Sequence, residues 1–250
     1  NDPVNYTFIA GDQEASVNAW LGRTVSIHFT GAINCVHCDR VTKKSFNQGY
    51  CYPCFQRLAQ CDTCIIKPEK CHFAEGTCRE PEWGETNCFV DHVVYLANTS
   101  GVKVGITRGT QVPTRWIDQG ATQAVRLAEV PYRQLAGLIE VSLKAHISDK
   151  TAWQKMLKGA SETDGDIIEI RDEMAYLVPV DYKSYLSTSK TVQVINYPVV
   201  QYPEKVKSLK LDREKLIEQK LVGIKGQYLI FENGVMNVRS HSGARIKFSL

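Results

Sequence analysis

The stretch CVHCDRVTKKSFNQGYCYPC carries Cys35, Cys38, Cys51 and Cys54 as two C-x-x-C pairs with twelve residues between them. Each pair can sit on a tight turn with both sulfurs facing one centre, and two such turns complete a tetrahedral thiolate site with no open position. The chemistry expected is therefore a structural zinc. Redox chemistry is disfavoured, because thioredoxin-like motifs come singly within a βαβ pattern and these pairs come in series.

A second group follows in CDTCIIKPEKCHFAEGTCREPEWGETNC, with Cys61, Cys64, Cys71, His72, Cys78 and Cys88, and His92 just beyond. Five thiols left unligated in a core-poor segment would be an oxidation hazard, so a second zinc is expected. The set read here is Cys61, Cys64, Cys71 and Cys78, with His72 or Cys88 as substitutes. Taken singly, His72 and His92 read as surface or core histidines. All nine cysteines lie between Cys35 and Cys88. An odd count in C-x-x-C pairs argues for metal ligation in a reducing compartment and against a disulfide framework, which places the expected location in the cytoplasm.

The elements that must position these residues fall within ordinary globular bounds: 250 residues, 43% hydrophobic and 23% charged. A net charge of +3 carries no claim of a nucleic-acid partner by itself, so a basic surface would have to come from local clustering. No apolar run approaches the ~20 residues needed to span a bilayer. The opening NDPVNYTFIAGDQ lacks the order of a signal peptide, and a soluble chain is expected.

Three zones are read. Residues 1–88 combine β-strands, notably RTVSIHFTGAI, with the cysteine-rich segment. Residues 89–160 form an α/β module: strands near 90–97 and 102–107, a short helix from Pro113 to Gly120, a strand near 124–130, and an amphipathic helix in YRQLAGLIEVSLKAHI. That helix places Leu135, Leu138, Ile139 and Leu143 on one stripe, continued by Ile147. Another short helix is read at 149–158.

Residues 161–250 read as β-rich, with a strand pair in IIEIRDEMAYLVPV, a strand in TVQVINYPVV and a hairpin in QYLIFENGVMNVRS turning at Asn233-Gly234. KSLKLDREKLIEQKL is helical in propensity but could be a connector. Gly101 suits a turn, and Gly105 inside a strand suits close approach of another group.

The order VVYLA, VKVGIT, Arg115 in PTRWIDQG and Glu140 in LAGLIEVSLKAHI resembles the GIY-YIG nuclease-like superfamily, over about seventy residues from 89 to 158. The combination with the cysteine-rich region and the C-terminal GIKGQYLIFENGVMNVRSHSGARIKF is similar to a family of prokaryotic proteins of unknown function. The superfamily resemblance implies an active site in which Tyr95 is associated with water activation, Arg115 with the phosphate, and Glu140 with Mg²⁺ or Mn²⁺. One departure stands out. Where the second motif should carry an aromatic two residues before its glycine, this chain has Lys103, which can still contact a phosphate.

Basic residues gather around this zone, with Lys103, Arg108, Arg115, Arg126 and Arg133 in the module and Arg40, Lys43 and Lys44 in the zinc loop. Tyr50, Tyr52, Phe55 and Trp116 are interspersed, as expected where phosphates are neutralised and bases stack. The expectation is an α+β protein with a zinc-ribbon-like N-terminal region, a central GIY-YIG-like module and a β-rich C-terminal region. Its expected function is that of a zinc-containing protein that binds DNA or RNA, with Mg-dependent phosphodiester cleavage as its catalytic form. The alternative is a non-catalytic interaction protein that keeps the fold without nuclease activity.

Overall fold

The structure, a computed structural model, describes residues 2–10, 12–159 and 165–250. The chain is α+β. Its strands are β1 (Thr7–Ala10), β2 (Gln13–Ser16), β3 (Thr24–Asn34), β4 (Val41–Thr42), β5 (His92–Asn98), β6 (Val102–Arg108), β7 (Gln123–Val130), β8 (Gln193–Val194), β9 (Leu216–Lys225), β10 (Tyr228–Phe231), β11 (Gly234–Asn237) and β12 (Ala244–Ser249). Its α-helices are α1 (Tyr52–Arg57), α2 (Pro81–Asn87), α3 (Thr114–Asp118), α4 (Arg133–Leu143), α5 (Trp153–Met156), α6 (Ile167–Leu177) and α7 (Leu211–Glu214). Among the described residues, no helix is long and apolar enough to cross a membrane.

Two compact units divide the chain, the first made of Asn1–Gln56, Leu157–Gly159 and Asn196–Leu250, the second of Arg57–Met156 and Ala160–Ile195. The consecutive zones 1–88, 89–160 and 161–250 do not map onto them. The N-terminal strand β3 pairs with the C-terminal strands β9 and β12 on its two edges, so the chain ends share one sheet, and the turns after Arg57 belong with the central module. The expected boundary at residues 160–161 lies outside the described residues.

In the first unit the antiparallel order is β11-β10-β9-β3-β12, with β4 also paired to β3. Val25 and Ile27 alternate into a core with Trp20, Ile217, Leu221 and Phe231, as a period-2 strand requires. Trp20 lies 5.5 Å from Phe8 and 4.7 Å from Phe248, ring to ring. The hairpin β10–β11 turns at Glu232-Asn233. Gly234 is already a strand residue opposite Phe231, and its missing side chain leaves room for Leu209, whose Cγ would lie 2.7 Å from a Cβ there. Of KSLKLDREKLIEQKL, only the single turn α7 is helical. Lys215, at φ 55°, redirects the rest into β9.

Lys225 closes β9 with its side chain buried and its ammonium 5.6 Å and 5.5 Å from the ring centres of Tyr197 and Tyr202. Burial brings its pKa down to about 8. The unfolded chain keeps this proton up to the ordinary lysine range, so the unfolded state binds more protons between about pH 8 and 10.5 and stability rises with pH there. Lys225→Met is expected to stabilise the protein at pH 7 by at most about 3 kcal/mol and to flatten that rise, read by urea denaturation at pH 7 and pH 10.

In the second unit the antiparallel order is β6-β5-β7-β8, and α4 and α6 pack on this sheet. Every residue of β5 is buried. Leu135, Ile139 and Leu143 enter the core with Ala136, while Leu138, expected on the same stripe, is exposed and Ile147 packs at the margin.

IIEIRDEMAYL, expected as a strand pair, is the helix α6. The Asp166 carboxylate caps it by accepting from the Ile168 backbone N–H at 2.9 Å, and Ile167, Arg171 and Met174 form its buried stripe. The Asp-x-x-Glu start and the helical spacing were the signals, masked by β-branched residues in its first turn. TVQVINYPVV contributes only β8; beyond it the chain passes to Pro198, which lacks the N–H a ladder needs.

Candidate functional site

Strand β3 runs straight into Cys35, and the backbone turns through Asp39 at φ 55° before β4 pairs back onto β3. Cys51 and Cys54 flank the start of α1, where the Phe55 N–H donates to the Cys51 carbonyl at 2.9 Å. The ligand atoms of Cys35, Cys38, Cys51 and Cys54 all lie within 4.8 Å of one another, and Cys38 Sγ is 3.7 Å from Cys51 Sγ. A zinc tetrahedron with bonds of about 2.3 Å has sulfurs about 3.8 Å apart, so the donor set fits the ion. Burial pushes the Cys35 thiol up, but the backbone N–H groups of Cys51, Cys38 and His37 outweigh it and bring it down to about 6. Burial and the facing thiols push Cys54 up to about 12. A divalent cation relieves that crowding of negative charge, and the cluster can hold a zinc ion.

Of the second cysteine group, three of the four expected residues and the substitutes Cys88 and His72 meet at one place. Cys64, Cys71, Cys78 and Cys88 line one small cavity, and Cys61 is buried outside its lining. The C-x-x-C spacing fails here because Cys61 and Cys64 belong to two successive 3₁₀ turns, Ala59–Cys61 and Thr63–Ile65, separated by extended Asp62. Asp62, Cys64 and His72 do bring their ligand atoms within 4.8 Å of one another. The Asp62 carboxylate is 2.6 Å from Arg79 Nε and 3.6 Å from His72 Nε2, and His72 Nδ1 contacts Thr77 Oγ1 at 2.7 Å. His92 is a core residue: Nδ1 meets the Val90 carbonyl at 2.6 Å, and burial brings its pKa down to about 4.

In the central module β5 and β6 pair so that Tyr95 lies opposite Gly105. The group that approaches the glycine is the tyrosine ring, whose Oη would sit 2.7 Å from a Cβ added there. The hairpin itself turns at Gly101, φ +145°. Tyr95 is 1% exposed; its ring meets Trp116 edge-on at 5.8 Å and its hydroxyl accepts from Gln119 Nε2, with Arg115 beside it. Gly105→Ala is expected to displace the ring and cost about 1–3 kcal/mol. Adding Tyr95→Phe, which removes the closest atom, should recover part of that loss in a denaturant melt, and a neutral Gly105→Ala would refute the packing account.

Electrostatic contact continues from Tyr95 to Arg115, from Arg115 to Lys103, and from Lys103 to Glu140 and Asp149. Lys103 is 7% exposed, and burial, reinforced by Arg115, brings it down to about 8 against the pull of Glu140 and Asp149. Burial pushes the Glu140 carboxyl up, opposed by Lys144, whose ammonium stands 3.7 Å from Glu140 and 3.0 Å from Asp149. Burial likewise pushes the Tyr95 hydroxyl up, opposed by Arg115 and Gln119.

Arg108, Arg126 and Arg133 have partners of their own, and Arg133 also lies within electrostatic reach of Arg115. Arg108 donates to Asn87 Oδ1 at 2.7 Å and Arg126 pairs with Glu129 at 3.0 Å. Arg133 donates to the Ile65 carbonyl at 2.6 Å and lies beside Cys88 and Cys64. Trp116 is buried against Tyr95 and offers no stacking platform. Arg40, Lys43 and Lys44 are exposed and belong with Tyr50, Tyr52 and Phe55 to the first unit.

Residues 22–246 match a family described as protein of unknown function, DUF2797. The chain belongs to this family. Comparison with curated proteins and with solved structures found no match. Within the DUF2797 match lie both cysteine groups and the Tyr95 to Glu140 cluster, so the match spans every candidate site described above.

Sequence reasoning missed Gln119, Asp149 and Arg171. The first two have no motif and join the cluster only through the fold. Arg171 is buried, donating to the Arg126 and Ser187 carbonyls and to Asp172, and reading its segment as strand concealed its place on an inward helical stripe.

Proposed function

We propose that this protein is a zinc-containing nucleic-acid-binding protein whose central module engages phosphodiesters at Lys103 and Arg115. The observation that carries the reading is that Arg115 and Glu140 both act on the Tyr95 hydroxyl and on Lys103, which brings one hairpin and two helices to a common cluster. Two cations beside a carboxylate suit a phosphate and a divalent ion together. Glu140 would hold Mg²⁺ or Mn²⁺, which supplies Lewis-acid stabilisation of a leaving oxygen when bound. Tyr95 orients Arg115 through its hydroxyl. At neutral pH Lys103 is mostly protonated and pairs with phosphate.

A second reading is favoured by the burial of Tyr95: a tyrosine only 1% exposed, its hydroxyl pushed up in pKa by that burial, is poorly placed to take a proton from water. The module would then bind without cutting. Labelled DNA and RNA, incubated with the protein and Mg²⁺ or Mn²⁺ and assayed for binding and nicking, separate the two. Nicking supports the catalytic form and binding alone the other. If affinity for either nucleic acid is absent or does not fall with salt, the phosphate contacts are wrong.

A further inference from the structure

The cavity beneath the second cysteine group differs in kind from the Cys35 site. Its free volume, 20 Å³ for the centre of a water-sized sphere, exceeds what one water needs, about 10–15 Å³. Cys64, Cys71, Cys78 and Cys88 all line it. Among the described residues, no three of these four thiols come within 4.8 Å of one another, whereas the four sulfurs at the Cys35 site all do. A single zinc requires sulfurs in near contact. Thiolates that face one cavity from greater separation suit a cluster in which each cysteine binds its own metal atom.

Each of the four also comes from a separate piece of chain. Cys64 lies in the 3₁₀ turn Thr63–Ile65, Cys71 follows the turn Pro68–Lys70, Cys78 precedes α2, and Cys88 caps it. No two of them form a C-x-x-C pair. The N-terminal residues of α4 hold two of these pieces: the Arg133 N–H donates to the Cys88 carbonyl at 2.8 Å and Gln134 Nε2 to the Cys71 carbonyl at 3.1 Å. Gly137 on α4 lets the Pro68–Lys70 turn pack closely, since a Cβ there would lie 2.6 Å from Pro68 Cγ.

Charge agrees with an anionic occupant. The Arg133 guanidinium stands beside Cys88 and Cys64, its Nε buried with no partner among the described residues, and Arg108 lies near Cys88. The competing donors Asp62 and His72 are less free, because Arg79 already holds the Asp62 carboxylate at 2.6 Å.

We propose that Cys64, Cys71, Cys78 and Cys88 ligate an iron–sulfur cluster of the [4Fe–4S] class, in place of the second zinc that cysteine spacing suggests. The assignment does not depend on the phosphodiester reading. The test is purification of the whole chain without oxygen, with and without reconstitution by ferric iron, sulfide and a thiol reductant, followed by assay of iron, acid-labile sulfide and zinc.

The expected result is about four irons and four sulfides per chain beside about one zinc, with a broad visible absorption that bleaches on reduction. Cys88→Ser should lose the iron and keep the zinc, which also reports that the variant folds; should it lose both, Cys71→Ser takes its place. Cys61→Ser should keep both metals, and Cys51→Ser should keep the iron. Two zincs with no iron after reconstitution, iron lost in Cys61→Ser or Cys51→Ser but kept in Cys88→Ser, or one iron lost with His72→Ala would each overturn the proposal.

Discussion

Cys51→Ser is expected to release the zinc and unfold the segment from Cys35 through α1. That segment has little apolar core of its own. β4 is two residues long, α1 six, and Val41, Tyr52 and Val36 are exposed. Metal ligation must supply what packing does not, and structural zinc contributes on the order of 10 kcal/mol of apparent folding free energy in small domains. Zinc content should fall by about one per chain, and trypsin should cut at Lys43 and Lys44, which are exposed in the loop between the paired turns. The strands on either side of β3 should persist, because its core residues Val25 and Ile27 are at the far end from Cys35. A variant with full zinc content and unchanged cleavage would refute the four-thiolate site.

The second large effect is expected at Glu140 and Arg115. If the module cuts, Glu140→Ala should lower the rate by about a hundredfold or more while binding is retained, since it removes the carboxylate that would hold the divalent ion. Arg115→Ala should instead weaken binding to every sequence and reduce the salt slope by about one, as loss of a phosphate contact does. Lys103 adds a pH signature. Its ammonium is protonated below about 8 and loses its charge above it, so affinity should fall as pH rises through that value, and Lys103→Met should remove the fall. A parent protein that binds but never nicks, with Glu140→Ala unchanged, leaves only the non-catalytic module. Binding that is indifferent to Arg115 and Lys103 would place the nucleic acid elsewhere or remove it.

The local rules worked where one segment answers to one rule. The Cys35 to Cys54 pairs were legible because two knuckle turns are fixed by spacing alone, β5, β6 and β7 because short apolar runs bounded by turns mark buried strands, and α4 because its apolar residues recur on one face. They failed where two rules compete. IIEIRDEMAYL has β-branched residues and a helix cap, and the cap with its inward stripe prevails because it buries Ile167 and Met174 against the module's sheet. The exposed Leu138 shows the same limit, since a period marks a face but not its width.

By itself, then, the sequence determined a four-thiolate site, an amphipathic helix carrying Glu140 and a hairpin carrying Tyr95 and Lys103. Tertiary structure alone decided that β3 is flanked by strands from the other end of the chain, that Cys88 and not Cys61 faces the second cavity, and that Arg133 turns toward the cysteines while Arg115 turns toward Tyr95. The physical reason is common to all three. Sequence spacing governs neighbours within a turn, whereas these contacts join residues that meet only after sheets and helices have packed, and packing is settled by the whole core.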